Sequence, residues 1–271
     1  MLPPEHVPLA GGARMLLGSA RGSVPRALPR GFAMSSTSYL ASGLSIQVSP
    51  LARLGSGTLA RVRLDRGDAL EPIADAWLQP AEHLWWDGLP DSRQADALLG
   101  TIALREALRG GEWSEAAEQA RPLSILHRPG VPPRVSGNPD IQCSVAHEGS
   151  AAVAAVARDP IGVDLVGRDR FDDAALRRIA APEEAEAALA AGIPPLEMPS
   201  LLWAAKESVL KGVGLGLGLH PARVVVRHAG GSSWRAELPA LFHRPRRWRI
   251  ETERWNDRWV AVAFPEAELE A

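Results

Sequence analysis

From residue 44 onward the chain carries two hydrophobic periods in succession. "GLSIQVSPLARL" and "TLARVRLD" alternate apolar and polar positions and predict strands. Residues 79 to 87 predict a short helix carrying Trp85 and Trp86. "DSRQADALLGTIALREALRGG" repeats its apolar residues at helical spacing, with Asp91 or Ser92 as cap and Gly110-Gly111 as stop. "RPLSILHRP" and "DIQCSVAHEG" predict short strands joined by the loop "GVPPRVSGNP". "SAAVAAVARDP" and "IGVDLV" follow as apolar strands. "DDAALRRIAAPEEAEAALAAG" is helical with a break near Pro182. A further helix runs from about Pro199 to Gly212, and "ARVVVRH", "SSWRAELP", "RWRIETER" and "RWVAVAF" predict four late strands.

This order repeats in kind. Two halves, 44–158 and 159–265, each hold one long helix and several strands, with the seam near "ARDPIGVDL". The mixture predicts an α+β fold, and the hairpin-like late strands predict antiparallel sheet. No internal repeat is visible in the residues themselves. Residues 266–271 read as a tail. Residues 1–43 hold one acid, Glu5, against four arginines, and no sustained apolar period. A transit peptide, a disordered tail and a misplaced start with Met34 as the true beginning all fit such a stretch; the tail or misplaced start is preferred, and 1–43 is set outside the fold.

Composition narrows the function without choosing it. A net charge of −2 argues against a nucleic-acid-coating surface, so any phosphate chemistry has to be local. A single cysteine, Cys143, excludes an internal disulfide and a cysteine zinc cluster and fits a reducing, cytoplasmic setting. No apolar run is long enough for a membrane helix. Of the thirty basic residues only Lys206 and Lys211 are lysines, and both lie in "SLLWAAKESVLKGVGLGLG".

On a helix through 201–211, Leu201, Leu202, Ala204, Ala205 and Val209 form an apolar stripe. Glu207 and Lys211 stack four residues apart on the other side, where a plain reading is a solvated ion pair worth a few tenths of a kcal/mol. Lys206 points about 100° away from Glu207, towards the helix edge. Asp164 stands alone among apolar residues in "IGVDLV"; it is either a strand-end acid facing water or a carboxylate kept for a cation. His147 ends the strand "SVAHEG". Two carboxylates with a histidine and a lysine suit a cation holding a phosphodiester or pyrophosphate, and do not suit zinc. "GVGLGLG" follows a helix and not a strand, so it reads as a helix end and not as a phosphate loop.

In order, "SVAHEG", "PIGVDLV" and "LLWAAKESVLKGVGLGLG" resemble the 4′-phosphopantetheinyl transferases of the larger, Sfp-like class, over roughly residues 75 to 265. "DALLGTIALREAL" is similar to that family's first-half helix, and "RWVAVAF" to its last strands. The resemblance implies two similar α+β halves about a pseudo-twofold axis, with the active site in the cleft between them. The first half would form the coenzyme A side and the second the metal and catalytic side. It implies transfer of the phosphopantetheine arm of coenzyme A to a serine of an apo acyl or peptidyl carrier protein. The chain would act as a monomer, without nucleic acid or membrane. By resemblance Asp164 and Glu207 would bind Mg²⁺, Glu207 or a nearby water would take the serine proton, Lys211 would neutralise phosphate charge, and His147 would hold the pyrophosphate. Lys206 and Lys211 occupy the family's two lysine positions and are both expected near the coenzyme.

The sequence departs from that pattern. Val166 stands where many relatives carry a second strand acid, Ala146 replaces a hydroxyl, and Glu148 adds charge beside the phosphates. The first half has no lysine for the coenzyme's 3′-phosphate, leaving Arg93, Arg105 and Arg134 as candidates. A coenzyme A or carrier-binding module without catalysis is the alternative, favoured by Val166 and Ala146 and opposed by Asp164, Glu207 and Lys211. A third reading is an α+β protein whose charged helix is only surface.

Overall fold

The computed structural model describes residues 37–41, 43–51, 57–64, 69–111, 125–128, 131–239 and 246–266. Almost all of the amino-terminal stretch and residues 267–271 of the tail lie outside the described residues. One piece of the stretch assigned to the tail is a strand, β1 (Thr37–Ala41), which pairs antiparallel with β2 (Leu44–Pro50).

The first sheet continues with β3 (Gly57–Leu64) and is completed by β6 (Gln142–Glu148) and β7 (Ala151–Ala157), in the order β1-β2-β3-β7-β6. Helices α1 (Leu70–Trp77), α2 (Pro80–Asp87) and α3 (Asp91–Arg109) come between β3 and β6. The second sheet starts at β8 (Gly162–Gly167). Then come α4 (Asp173–Ile179), α5 (Pro182–Ala190) and α6 (Met198–Val213). Strands β9 (Val225–Gly230), β10 (Ser233–Glu237), β11 (Arg247–Trp255) and β12 (Arg258–Pro265) close it, in the order β8-β12-β11-β10-β9. Every pairing in both sheets is antiparallel.

Each half thus runs strand, helices, strands, with the last strand returning to pair with the strand before the helices: β7 with β3, and β12 with β8. The long helix lies on those strands in both halves, α3 on β7 and β3, α6 on β8 and β12. This is the two-half α+β fold.

A buried contact occurs twice. Pro80 begins α2, and Glu82 two residues later reaches back to accept from Gln79 N, at 2.9 Å, and from Ile125 N, at 3.0 Å. The same carboxylate is paired with Arg105 on α3. Pro182 begins α5, and Glu184 accepts from Ala181 N at 2.7 Å, from Val226 N at 2.7 Å and from Lys206 Nζ on α6 at 2.8 Å. In both halves one buried glutamate ties the start of a short helix, a cation on the long helix and the next strand. Fully partnered, such a carboxylate escapes the penalty of a lone buried charge.

Three apolar clusters hold the molecule together. One lies under α3, one under α6, and the third packs the facing sides of the two sheets through Ala146, Val153, Ala155, Val163, Leu165 and Val262. Between the edge strands β6 and β8 Val163 N donates to Ser144 Oγ at 2.9 Å, and between the central strands Arg61 on β3 is ion-paired with Glu253 on β11.

Two local expectations are corrected. Asp91 is already inside α3: Pro90 takes the cap position, and no side chain caps that helix. The proposed loop 130–139 contains a strand, β5 (Val131–Val135), which pairs with β4 (Ile125–Arg128). Two prolines in "VPPRV" hid it, since a two-stranded ribbon has free edges where a missing N–H is tolerated.

Candidate active site

Close backbone approach builds the site. A Cβ on Gly162 would lie 1.8 Å from Ser208 O and 2.5 Å from Gly212 N. Only a glycine lets α6 settle this deeply on β8. Gly212 is equally constrained, since its Cβ would come within 2.6 Å of the Trp248 ring. Period-two alternation then sends Val163 and Leu165 into the packing between the sheets and turns Asp164 and Val166 towards α6. Far from forming a half-solvated stripe, α6 is buried nearly all round, and Lys206 and Glu207 are buried with it. Trp203 on this helix packs against Phe171 in the segment after β8, with ring centroids 4.8 Å apart.

Asp164 is buried, which disposes of the water-facing reading. Lys211 Nζ donates to its Oδ1 at 2.6 Å, so the lysine's ion-pair partner is Asp164 and not Glu207 four residues back. Asp164 Oδ2 and Glu207 Oε1 are buried and accept no hydrogen bond among the described residues. Burial raises the Asp164 carboxyl above its ordinary range, against the pull of Lys211. Burial and the Asp164 charge push Glu207 up to about 7, again opposed by Lys211. Two repelling carboxylates, each with an unsatisfied buried oxygen, fit a hard divalent cation. No group of three or more His, Cys, Asp or Glu side chains among the described residues is placed to hold a metal. A cation here would take two protein carboxylates and fill its remaining positions with water or phosphate oxygens, the habit of Mg²⁺.

The first half contributes His147 from β6 and the amino-terminal part of α3. His147 Nδ1 lies 3.2 Å from Asp96 Oδ2, and its side chain is 37% exposed. Burial lowers the ring's pKa; Lys211 and Arg93 push the same way, while Asp96 and Asp164 oppose them. Arg93 is exposed on α3, and its charge contributes to lowering the pKa of His147. Arg134 is exposed on β5.

Two expected coenzyme contacts are overturned. Lys206 is fully buried and donates to Glu184 and, at 2.7 Å, to Val224 O. Arg105 is buried against Glu82. Each cation is part of a latch inside its own half and cannot reach a ligand. Residue type gave no warning, because a basic residue on an amphipathic helix reads the same whether it meets solvent or a buried acid.

The departures find physical explanations. Val166 and Ala146 are both packed, the first under α6 and the second between the sheets. On β6 the alternation that sends His147 to the α3 side turns Glu148 to the β8 side. There Glu148 takes a hydrogen bond from Gly167 N and lies 3.8 Å from Arg170 and 3.9 Å from Arg258. Burial raises its pKa. Asp96 is the cluster member that sequence reading missed; one acid on a helix carries no signal of its own.

Residues 160–263 match the family model of the 4′-phosphopantetheinyl transferase superfamily. That segment begins at the approach to β8 and contains Asp164, Glu207, Lys211 and the packed glycines, but not His147 or Asp96. No curated protein matches the chain.

Proposed function

With residues 160–263 a segment of the 4′-phosphopantetheinyl transferase superfamily, we propose that the chain transfers the phosphopantetheine arm of coenzyme A to a serine of an apo acyl or peptidyl carrier protein. The products are the holo carrier and adenosine 3′,5′-bisphosphate. The observation that carries this reading is the pair of unsatisfied buried oxygens, Asp164 Oδ2 and Glu207 Oε1, beside Lys211. Mg²⁺ held by Asp164 and Glu207 would supply Lewis-acid stabilisation of the pyrophosphate.

In this reaction the serine oxygen forms a bond to the phosphorus on the pantetheine side. The bond from that phosphorus to the bridging oxygen breaks, and the electron pair leaves on the bisphosphate. Glu207, its carboxyl raised to about 7, takes the serine proton directly or through water in this reading. Lys211 offsets charge gathering on the transferred phosphoryl group, and His147 approaches the pyrophosphate from the first half. Arg93 and Arg134 are the candidates retained for the coenzyme's phosphates. A monomer of the Sfp-like class, acting in the cytoplasm, is the setting this reading implies. No helix among the described residues is long and apolar enough to cross a membrane.

Intact mass of an apo acyl carrier protein, incubated with this chain, coenzyme A and Mg²⁺, tests the proposal. A gain of one phosphopantetheine is expected, lost with EDTA and reduced at least a hundredfold in rate by Glu207→Gln. Coenzyme A binding with no mass gain across carriers of several pathways would instead support the non-catalytic module. Val166, a core residue in place of a third acid, is the observation that keeps this second reading open.

A further inference from the structure

The two ring nitrogens of His147 meet different surroundings. Nδ1 faces Asp96 Oδ2 at 3.2 Å, across the seam between β6 and α3, which leaves Nε2 on the opposite side of the ring. Asp96 itself is only 25% exposed, and α3, which carries it, is packed on β6 and β7. One turn earlier on the same helix is Arg93; Lys211 on α6 and Asp164 on β8 act on the ring from the second half. An acid placed among groups suited to phosphate would repel the ligand unless its charge were committed elsewhere. We propose that Asp96 is a positioning residue: it anchors the His147 ring through Nδ1 so that Nε2 meets a phosphate oxygen of the coenzyme, a role that rests on the transferase reading.

The tautomer follows from the anchor. A carboxylate accepts, so it selects the neutral ring with its proton on Nδ1. Burial, Lys211 and Arg93 favour that neutral ring in the free protein. The two negative charges of the arriving pyrophosphate counter the two cations, and the ring takes a proton from solvent onto Nε2. The imidazolium then bridges Asp96 and the phosphate with a charge-assisted hydrogen bond on each side. In the same way a second partner fixes which ring nitrogen of a metal-binding histidine is free to ligate.

The experiment uses the full chain labelled with ¹⁵N-histidine, observed at pH 8 with and without coenzyme A, together with coenzyme A affinity and steady-state transfer to apo carrier. Expected in the free protein is a His147 ring protonated at Nδ1, gaining a proton at Nε2 on binding. Asp96→Asn should move the neutral ring's proton to Nε2, because the amide N–H donates to Nδ1. It should also weaken coenzyme A by about tenfold through KM with little change in kcat. Asp96→Glu should restore part of that loss, and Asp96→Asn should add nothing once His147 is alanine. An unchanged tautomer and affinity in Asp96→Asn, or losses that simply add in the double variant, would overturn the proposal. If wild type makes no holo carrier, the transferase reading fails by itself, while the ring spectrum and coenzyme A binding still decide the anchor. A ring anchored as described in a chain that binds neither coenzyme A nor pyrophosphate overturns the phosphate-meeting role.

Discussion

Glu207 shows how one buried side chain links stability to pH. Its folded pKa of about 7 lies above its ordinary value of 4.5, so between those values the folded chain binds this proton more tightly than the unfolded chain does. Stability contributed by the neutral carboxyl is complete at low pH and is lost as pH rises towards 7. Asp164, also raised by burial, acts with the same sign. The metal-free protein is expected to lose about 1–3 kcal/mol between pH 5 and 7.5 from Glu207. Thermal unfolding in EDTA across that range checks it: Glu207→Gln should flatten the decline, and Mg²⁺ at pH 7.5 should raise Tm by binding the charged folded form. A flat profile in the wild type would contradict the pairing. Asp164, Glu207, Lys211 and His147 were legible as candidates because their motifs fall in a recognisable order. Lys206 and Arg105 were misread because each cation's partner is set by how its helix packs against the one before it, which helical spacing within one segment does not reveal.

Packing between elements sets how precisely these groups meet. In α6 and β8 the decisive residues carry no chemistry: Gly162 and Gly212 let two backbones touch. Gly162→Ala puts a methyl 1.8 Å from Ser208 O, where no side-chain movement can relieve it. We expect a loss of about 3 kcal/mol or more by denaturant unfolding, with transferase activity falling further than the folded fraction does. The latch between α5 and α6 gives a contrasting prediction. Lys206→Met leaves Glu184 buried without its cation and should cost about 3–5 kcal/mol. Yet KM for coenzyme A in the folded fraction should stay the same, whereas a lysine that met the coenzyme would raise it. Helices and strands with a clean period were readable from the sequence. The ribbon of β4 and β5 was not, because its prolines mimic a loop, and β1 was hidden by the composition around it.

At the largest scale the described residues form two halves joined through an apolar layer, the Val163–Ser144 hydrogen bond and the Arg61–Glu253 pair. Their likeness was readable as a succession of elements but not as repeated residues, since apolar side chains exchange freely in a core as long as volume and pattern persist. The latches are kept by chemistry: proline, glutamate and a cation, with Arg105 in one half and Lys206 in the other. Immediately after each cation stands a buried glutamate, Glu106 in the first half and Glu207 in the second. Glu106 is answered by Arg109, and β3 beneath its helix has no acid in its sequence. Glu207 instead faces a strand that offers Asp164. Two copies of one scaffold therefore come apart at a single strand carboxylate: where it is missing the helix glutamate is neutralised at home, and where it is present the same glutamate is left wanting a cation.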